Sequence, residues 1–114
     1  MDPASRSLCW YLLAGTRGGP NRLRLLEALR EGPGNAHQLS QALGLDYRTV
    51  RHHLQLLEHN GLVARPIGRA YASPYELAPR WREDFEELRE LLAEARVSAR
   101  LRRTLARPEV RLSA

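Results

Sequence analysis

The sequence predicts a mainly helical fold carrying one small β-hairpin. Apolar residues recur at steps of three and four along most of the 114 positions. Glycine or proline punctuates each helical run, and the helical period lapses only once, just after Gly61. The length favours one domain, or one domain with an appended helix, over two separate cores. It is too short for an α/β barrel.

The first helix is expected over Ser5 to Gly15 (SRSLCWYLLAG), with Ser5 as N-cap, Gly15 as stop, and Leu8, Cys9, Tyr11 and Leu12 at helical spacing. After the linker 16–19, Pro20 suits a first helical turn. Leu23, Leu25, Leu26, Ala28 and Leu29 then make an amphipathic helix over Asn21 to Glu31, closed by Gly32-Pro33-Gly34. Ala36 to Leu43 forms the next, with Leu39, Ala42 and Leu43 inward and Gly44 at its end. Only Leu45 separates Gly44 from Asp46, which caps a helix running through Asn60 with Val50, Leu54 and Leu57 as its buried stripe. Beyond Gly61, Leu62 to Arg65 and Ala70 to Leu77 read as two strands joined by a turn at Gly68, with Pro74 marking an edge. Pro79 opens a long final helix in which Trp81, Phe85, Leu88, Leu92, Ala95 and Ala99 follow a four-three pattern. Continuous over 79–106, that helix would span about 42 Å. So small a core cannot cover it from one side, and an identical subunit is the simplest partner for its far end.

Two short helices at a tight turn, followed by a hairpin, form a helix-turn-helix with a wing. The stretch LSQALGLDYRTVRHHLQLLEHNGLV over residues 39–63 resembles the core of the ArsR-like regulators. Their TV-x-x-HL-x-x-L-x-x-x-GLV pattern is matched here by Thr49, Val50, His53, Leu54, Leu57, Gly61, Leu62 and Val63. The resemblance, weaker outside this core, extends from about Leu8 to about Leu92 and implies a winged helix-turn-helix regulator that binds DNA as a dimer. The expected parts are an N-terminal helix and linker (1–19), a DNA-binding domain (20–78), a long C-terminal dimerisation helix (79–107) and a tail (108–114).

With the apolar stripe turned inward, Tyr47, Arg48, Thr49, Arg51, His52 and Gln55 lie outward near the start of the 46–60 helix. That is the end that meets base edges in a major groove. Arginine can grip guanine O6 and N7, and Gln can do the same for adenine. Contacts to the DNA backbone are expected from Asn21, Arg22 and Arg24 in the first turn after Pro20. Arg65 and Arg69 on the wing are expected to add to them. His53 matches the family position that packs or contacts phosphate. Leu8, Leu12, Trp81, Phe85, Leu88 and Leu92 are the expected dimer interface. The expected partners are double-stranded DNA bearing an inverted repeat and a second copy of the chain. The alternatives are a winged-helix protein-interaction module and a sequence-neutral architectural DNA-binding protein.

The relatives' metal sites are not expected here. Asn35 and His37 stand where a sensing pair of cysteines would be, and residues 79–106 hold no histidine for the other familiar site. No cofactor, metal or enzymatic activity is expected, since no phosphate loop or nucleophile–base pair is present. Cys9 alone makes no internal disulfide, and an inert buried thiol is the expected reading. The longest apolar run near the N-terminus, Leu8 to Ala14, is far below the roughly 20 residues of a membrane span. It lacks a small-residue cleavage site, so a cytoplasmic protein is expected.

Eighteen basic residues, all Arg, against thirteen acidic ones give a formal +5, which raises the prior for a polyanionic partner. The surplus is not in the helix-turn-helix. Residues 46–78 carry +1, residues 79–95 carry −3 and residues 96–114 carry +5. The acidic start of the last helix is therefore expected to face the Arg-rich end of a partner's helix.

Overall fold

The computed structural model describes residues 2–105, and only the backbone at positions 92, 95, 98, 99 and 102. Six helices run in order: α1 (Pro3–Leu13), α2 (Gly19–Glu31), α3 (Ala36–Leu43), α4 (Tyr47–His59), α5 (Pro79–Glu83) and α6 (Phe85–Leu105). Strands β1 (Val63–Ala64) and β2 (Glu76–Leu77) lie between α4 and α5. They pair antiparallel, Val63 opposite Leu77 and Ala64 opposite Glu76.

Local chemistry sets most of these boundaries. Asp2, not Ser5, caps α1: its carboxylate accepts the Ser5 N–H at 3.0 Å, and Pro3 takes the first helical position. Asn35 and Gln38 form a reciprocal capping box at α3, each side chain accepting the other's backbone N–H, at 2.8 and 2.9 Å. Asn35, read from the sequence as standing in place of a cysteine, is used here as a helix cap. Gly44 ends α3 at φ 65°, the left-handed conformation that glycine adopts without a Cβ clash. This turns the chain directly into α4. Leu39 of α3 is buried as expected, whereas Ala42 is exposed and Ala36 and Ser40 take inner positions.

The core is a continuous cluster beneath all six helices and the strands. Leu23, Leu25, Leu26 and Leu29 of α2 meet Val50, Leu54 and Leu57 of α4, and Leu62, Tyr75 and Leu77 close the hairpin side. Cys9, Leu12 and Leu13 of α1 and Trp81, Phe85, Leu88 and Leu91 complete it.

Two expectations are corrected. The hairpin is much shorter than the alternation of residues 62–77 suggested, because residues 65–74 form bends and turns. A bridge between Gly34 and Tyr75 adds a third backbone contact, tying the segment before α3 to the wing. The last helix is also not continuous from Pro79, since Asp84 leaves helical geometry and ends α5. Glu86 and Glu87 in the first turn of α6 suit its positive N-terminal end. The expected helix end at 107 and the tail 108–114 lie outside the described residues.

Candidate nucleic-acid interface

Helix α4 is fixed at its start and along one side. Asp46 accepts the Thr49 N–H at 3.2 Å, and Val50, Leu54 and Leu57 are fully buried. The opposite strip carries Arg48, Arg51, His52 and Gln55 at i, i+3, i+4 and i+7, all exposed. Among the described residues neither Arg48 nor Arg51 has an ion-pair partner, so both guanidiniums stand open. Thr49 is exposed but its hydroxyl leans on the Asp46 cap, 3.5 Å away. Tyr47 is half-buried against the wing, its ring centroid 6.1 Å from that of Tyr71. A hydrogen bond to Tyr47, and then that group's charge, hold the Tyr71 phenol above its ordinary range. The wing is thereby keyed to the first turn of α4. Beyond it, Ile67, Arg69 and Tyr71 stand exposed.

The residues expected on the DNA backbone divide. Asn21 is half-buried at the start of α2, and the Arg69 side chain is largely exposed with one loose contact to Glu58 at 3.5 Å. Arg24 is exposed yet donates to the Leu43 carbonyl at 2.8 Å, closing the end of α3. Arg65 is occupied by Glu58 at 3.4 Å and lies 4.9 Å over the Tyr75 ring. Arg22 and His53 are corrected, being only 4% and 6% exposed and turned into the protein. Arg22 donates through Nε to the Leu12 carbonyl at 2.7 Å and through an Nη to the Thr16 hydroxyl. Its other Nη lies 3.2 Å from His53 Nδ1. Arginine only donates, so Nδ1 accepts and His53 is neutral, with its proton on Nε2.

Burial above all, then the Arg22 cation, then His52, lower the His53 pKa below its ordinary 6.5. Above that value the ring is neutral whether folded or unfolded. As pH falls through 6.5 the unfolded chain binds the proton first, so stability declines until folded His53 also titrates. The melting temperature of the wild type should fall between pH 7.5 and 5.5, and His53→Gln should lose part of that slope. Parallel slopes in the two proteins would contradict this assignment.

Four of the six expected dimer residues are buried inside the single subunit. Leu12, Trp81, Phe85 and Leu88 are at most 3% exposed within one subunit, where α1 packs on α6. Leu8 is half-buried, and the Leu92 side chain lies outside those described. The acidic residues expected to face a partner are answered in part within the chain. Glu86 meets Arg30 at 2.8 Å and Glu94 meets Arg6 at 2.9 Å, while Arg96 reaches Glu27 at 3.3 Å. Sequence reasoning missed the residues that do remain open on α6: Val97, Leu101 and Leu105, each more than half exposed and spaced by four. Their spacing was legible, but nothing local indicated that the body of the subunit stops short of them.

Cys9 is fully buried, and desolvation pushes its thiol up to about 11. Native protein at pH 7.5 should resist iodoacetamide and react once unfolded, whereas rapid native alkylation would contradict the burial. Among the described residues no group of three His, Cys, Asp or Glu is placed to hold a metal ion. No described helix is long and apolar enough to cross a membrane.

Residues 19–65 match the family described as bacterial regulatory protein, arsR family. A "probable transcriptional regulator" from Pseudomonas aeruginosa superposes with a TM-score of 0.57 at 23% identity, covering 90% of this chain and 87% of that one. The homodimeric winged helix-turn-helix DNA-binding domain of a possible ArsR-family regulator from Mycobacterium bovis gives 0.56 at 21% identity, covering 87% and 92%. No curated protein matches the sequence significantly. Helix order, hairpin and these superpositions agree on a winged helix-turn-helix fold, and within it residues 19–65 are similar to the arsR family of bacterial regulatory proteins.

Proposed function

We propose that the chain is a sequence-selective transcriptional regulator that binds double-stranded DNA as a homodimer, α4 entering the major groove and the 62–77 wing lying on the flanking backbone. The observation that carries this reading is the open strip Arg48, Arg51, His52 and Gln55, held on a helix whose other side is locked into the core. Its varied donors and acceptors suit base edges better than a uniformly basic face would. Asn21, Arg24 and Arg69 are the backbone contacts in this reading, and the solvent-facing apolar strip of α6 is the subunit contact. The homodimeric relative from Mycobacterium bovis supports pairing. Two copies of α4 set about 34 Å apart would read an inverted repeat with half-sites one helical turn apart.

Duplexes selected from random sequence by the wild type supply the probe. In gel shifts, Arg48→Ala and Arg51→Ala should each weaken binding by about 1–3 kcal/mol and relax preference at the base each one reads. Wild-type affinity and selectivity in both variants would overturn the assignment. A wild type that binds no duplex, or binds all duplexes equally in competition at fixed salt, would overturn the regulator itself.

A further inference from the structure

Between the α1–α2 linker and α4 lies an open cleft of about 480 Å³. Thr16, Arg17, Asn21, Arg22, His52 and His53, with the Tyr11 phenol, supply its polar lining, which contains no Asp or Glu. Arg22 is the unusual member. Arg6, Arg30, Arg65, Arg82 and Arg96 each answer a carboxylate. Arg22 is 96% buried by its 4% exposure, yet its acceptors are the Leu12 carbonyl, the Thr16 hydroxyl and His53 Nδ1, all neutral. A guanidinium has five N–H donors, and these three acceptors leave one N–H on each Nη unmatched among the described residues. Burying a cation without a counter-charge is unfavourable, and an anion in the cleft would relieve it.

Gly18 shapes the cleft. A Cβ there would lie 2.6 Å from an Arg22 Nη and 2.6 Å from His53 Cε1, so glycine is what lets the linker lie flat against this pair. The depth of the pair also decides what can reach it. Arg22 and His53 are nearly covered while Arg17 stands exposed at the rim, which favours an occupant smaller than the rod of a DNA backbone.

We propose that this cleft binds a small, diffusible phosphate-type oxyanion, gripped by Arg22 and Arg17 with Asn21 and His52 as further donors. The site goes beyond the DNA-binding reading and is coupled to it through His52, which lines the cleft and stands on the exposed strip of α4. An occupied cleft puts negative charge beside the surface proposed to face DNA phosphates. Occupancy should therefore weaken DNA binding more than chloride does at equal ionic strength.

Inorganic phosphate titrated into the full chain at pH 7 and constant ionic strength tests the site without DNA, so its outcome is independent of the regulator reading. Saturable binding of one phosphate per chain is expected, with movement of the His52 and His53 ring resonances in NMR spectra. Arg17→Ala, at the exposed rim, should keep the wild-type melting temperature and lose about tenfold in affinity, as for one charge-assisted hydrogen bond. Arg22→Gln, if folded by circular dichroism, should not bind. Absence of saturation, or wild-type affinity in Arg17→Ala, overturns the proposal. A selected duplex that alone reproduces the phosphate-induced His53 shift would identify the occupant as a DNA phosphate and overturn the free anion.

Discussion

Replacing Val97 and Leu101 by Asp should convert the protein to a monomer and lower its affinity for a two-half-site duplex by about 10²–10⁴-fold, the contribution of linking two binding events. Both side chains are more than half exposed in the single subunit, 59% and 56%, so the double variant should melt as a folded chain. Their spacing continues at Leu105 and forms a strip that one subunit leaves in water. Sedimentation checks the association state, and gel shifts on whole and half sites check its consequence. Affinity for a half site should be nearly unchanged, because the DNA-facing strip of α4 is untouched. A double variant that stays dimeric at low concentration would move the subunit contact elsewhere. The exposed Tyr11 side chain on α1 is then the next candidate.

Leu54→Ala should destabilise the fold by roughly 2–5 kcal/mol, the range for removing a buried leucine and leaving a cavity. For a domain of this size that corresponds to a melting temperature lower by roughly 8–20 °C. Leu54 is 0% exposed and lies in the core, on a helix that packs against α2. Its neighbour Gln55 is exposed, and Gln55→Ala should change stability by no more than about 0.5 kcal/mol. It should nevertheless alter base preference. Thermal denaturation of the two variants separates the side of α4 that holds the fold from the side proposed to read DNA. Equal melting temperatures would mean that the stripe is not the anchor described.

Several features were legible in the sequence because their causes are local. Asp46 with the Val50, Leu54 and Leu57 spacing defined α4, and Ala36 to Gly44 defined α3, since caps and apolar period act within a turn or two of chain. The Asn35-x-x-Gln38 box has an equally local cause but was not read as one, Asn35 being considered only as a place where a cysteine is missing. The break at Asp84 was not read, because the apolar stripe from Trp81 to Leu88 runs across it without interruption. The length of the wing was not readable. Alternation shows which residues could pair, while Gly34, distant in sequence, takes the partner position at Tyr75.

The sequence alone determined the order of the first four helices, the turn between α3 and α4, and the exposure of Arg48, Arg51, His52 and Gln55 on α4, because each follows from spacing and capping over a few residues. Only the tertiary structure decided where the charges and the apolar strips are used. Arg22 looks like any first-turn arginine until packing sets it against Leu12, Thr16 and, 31 positions away, His53. Trp81, Phe85 and Leu88 look like a seam for a partner until the core of their own subunit buries them, Arg30 of α2 lying over the Phe85 ring, which leaves Val97, Leu101 and Leu105 as the exposed strip proposed for that role. A periodic pattern states that a face must be buried, and the partner that buries it is fixed by contacts between segments far apart in the chain.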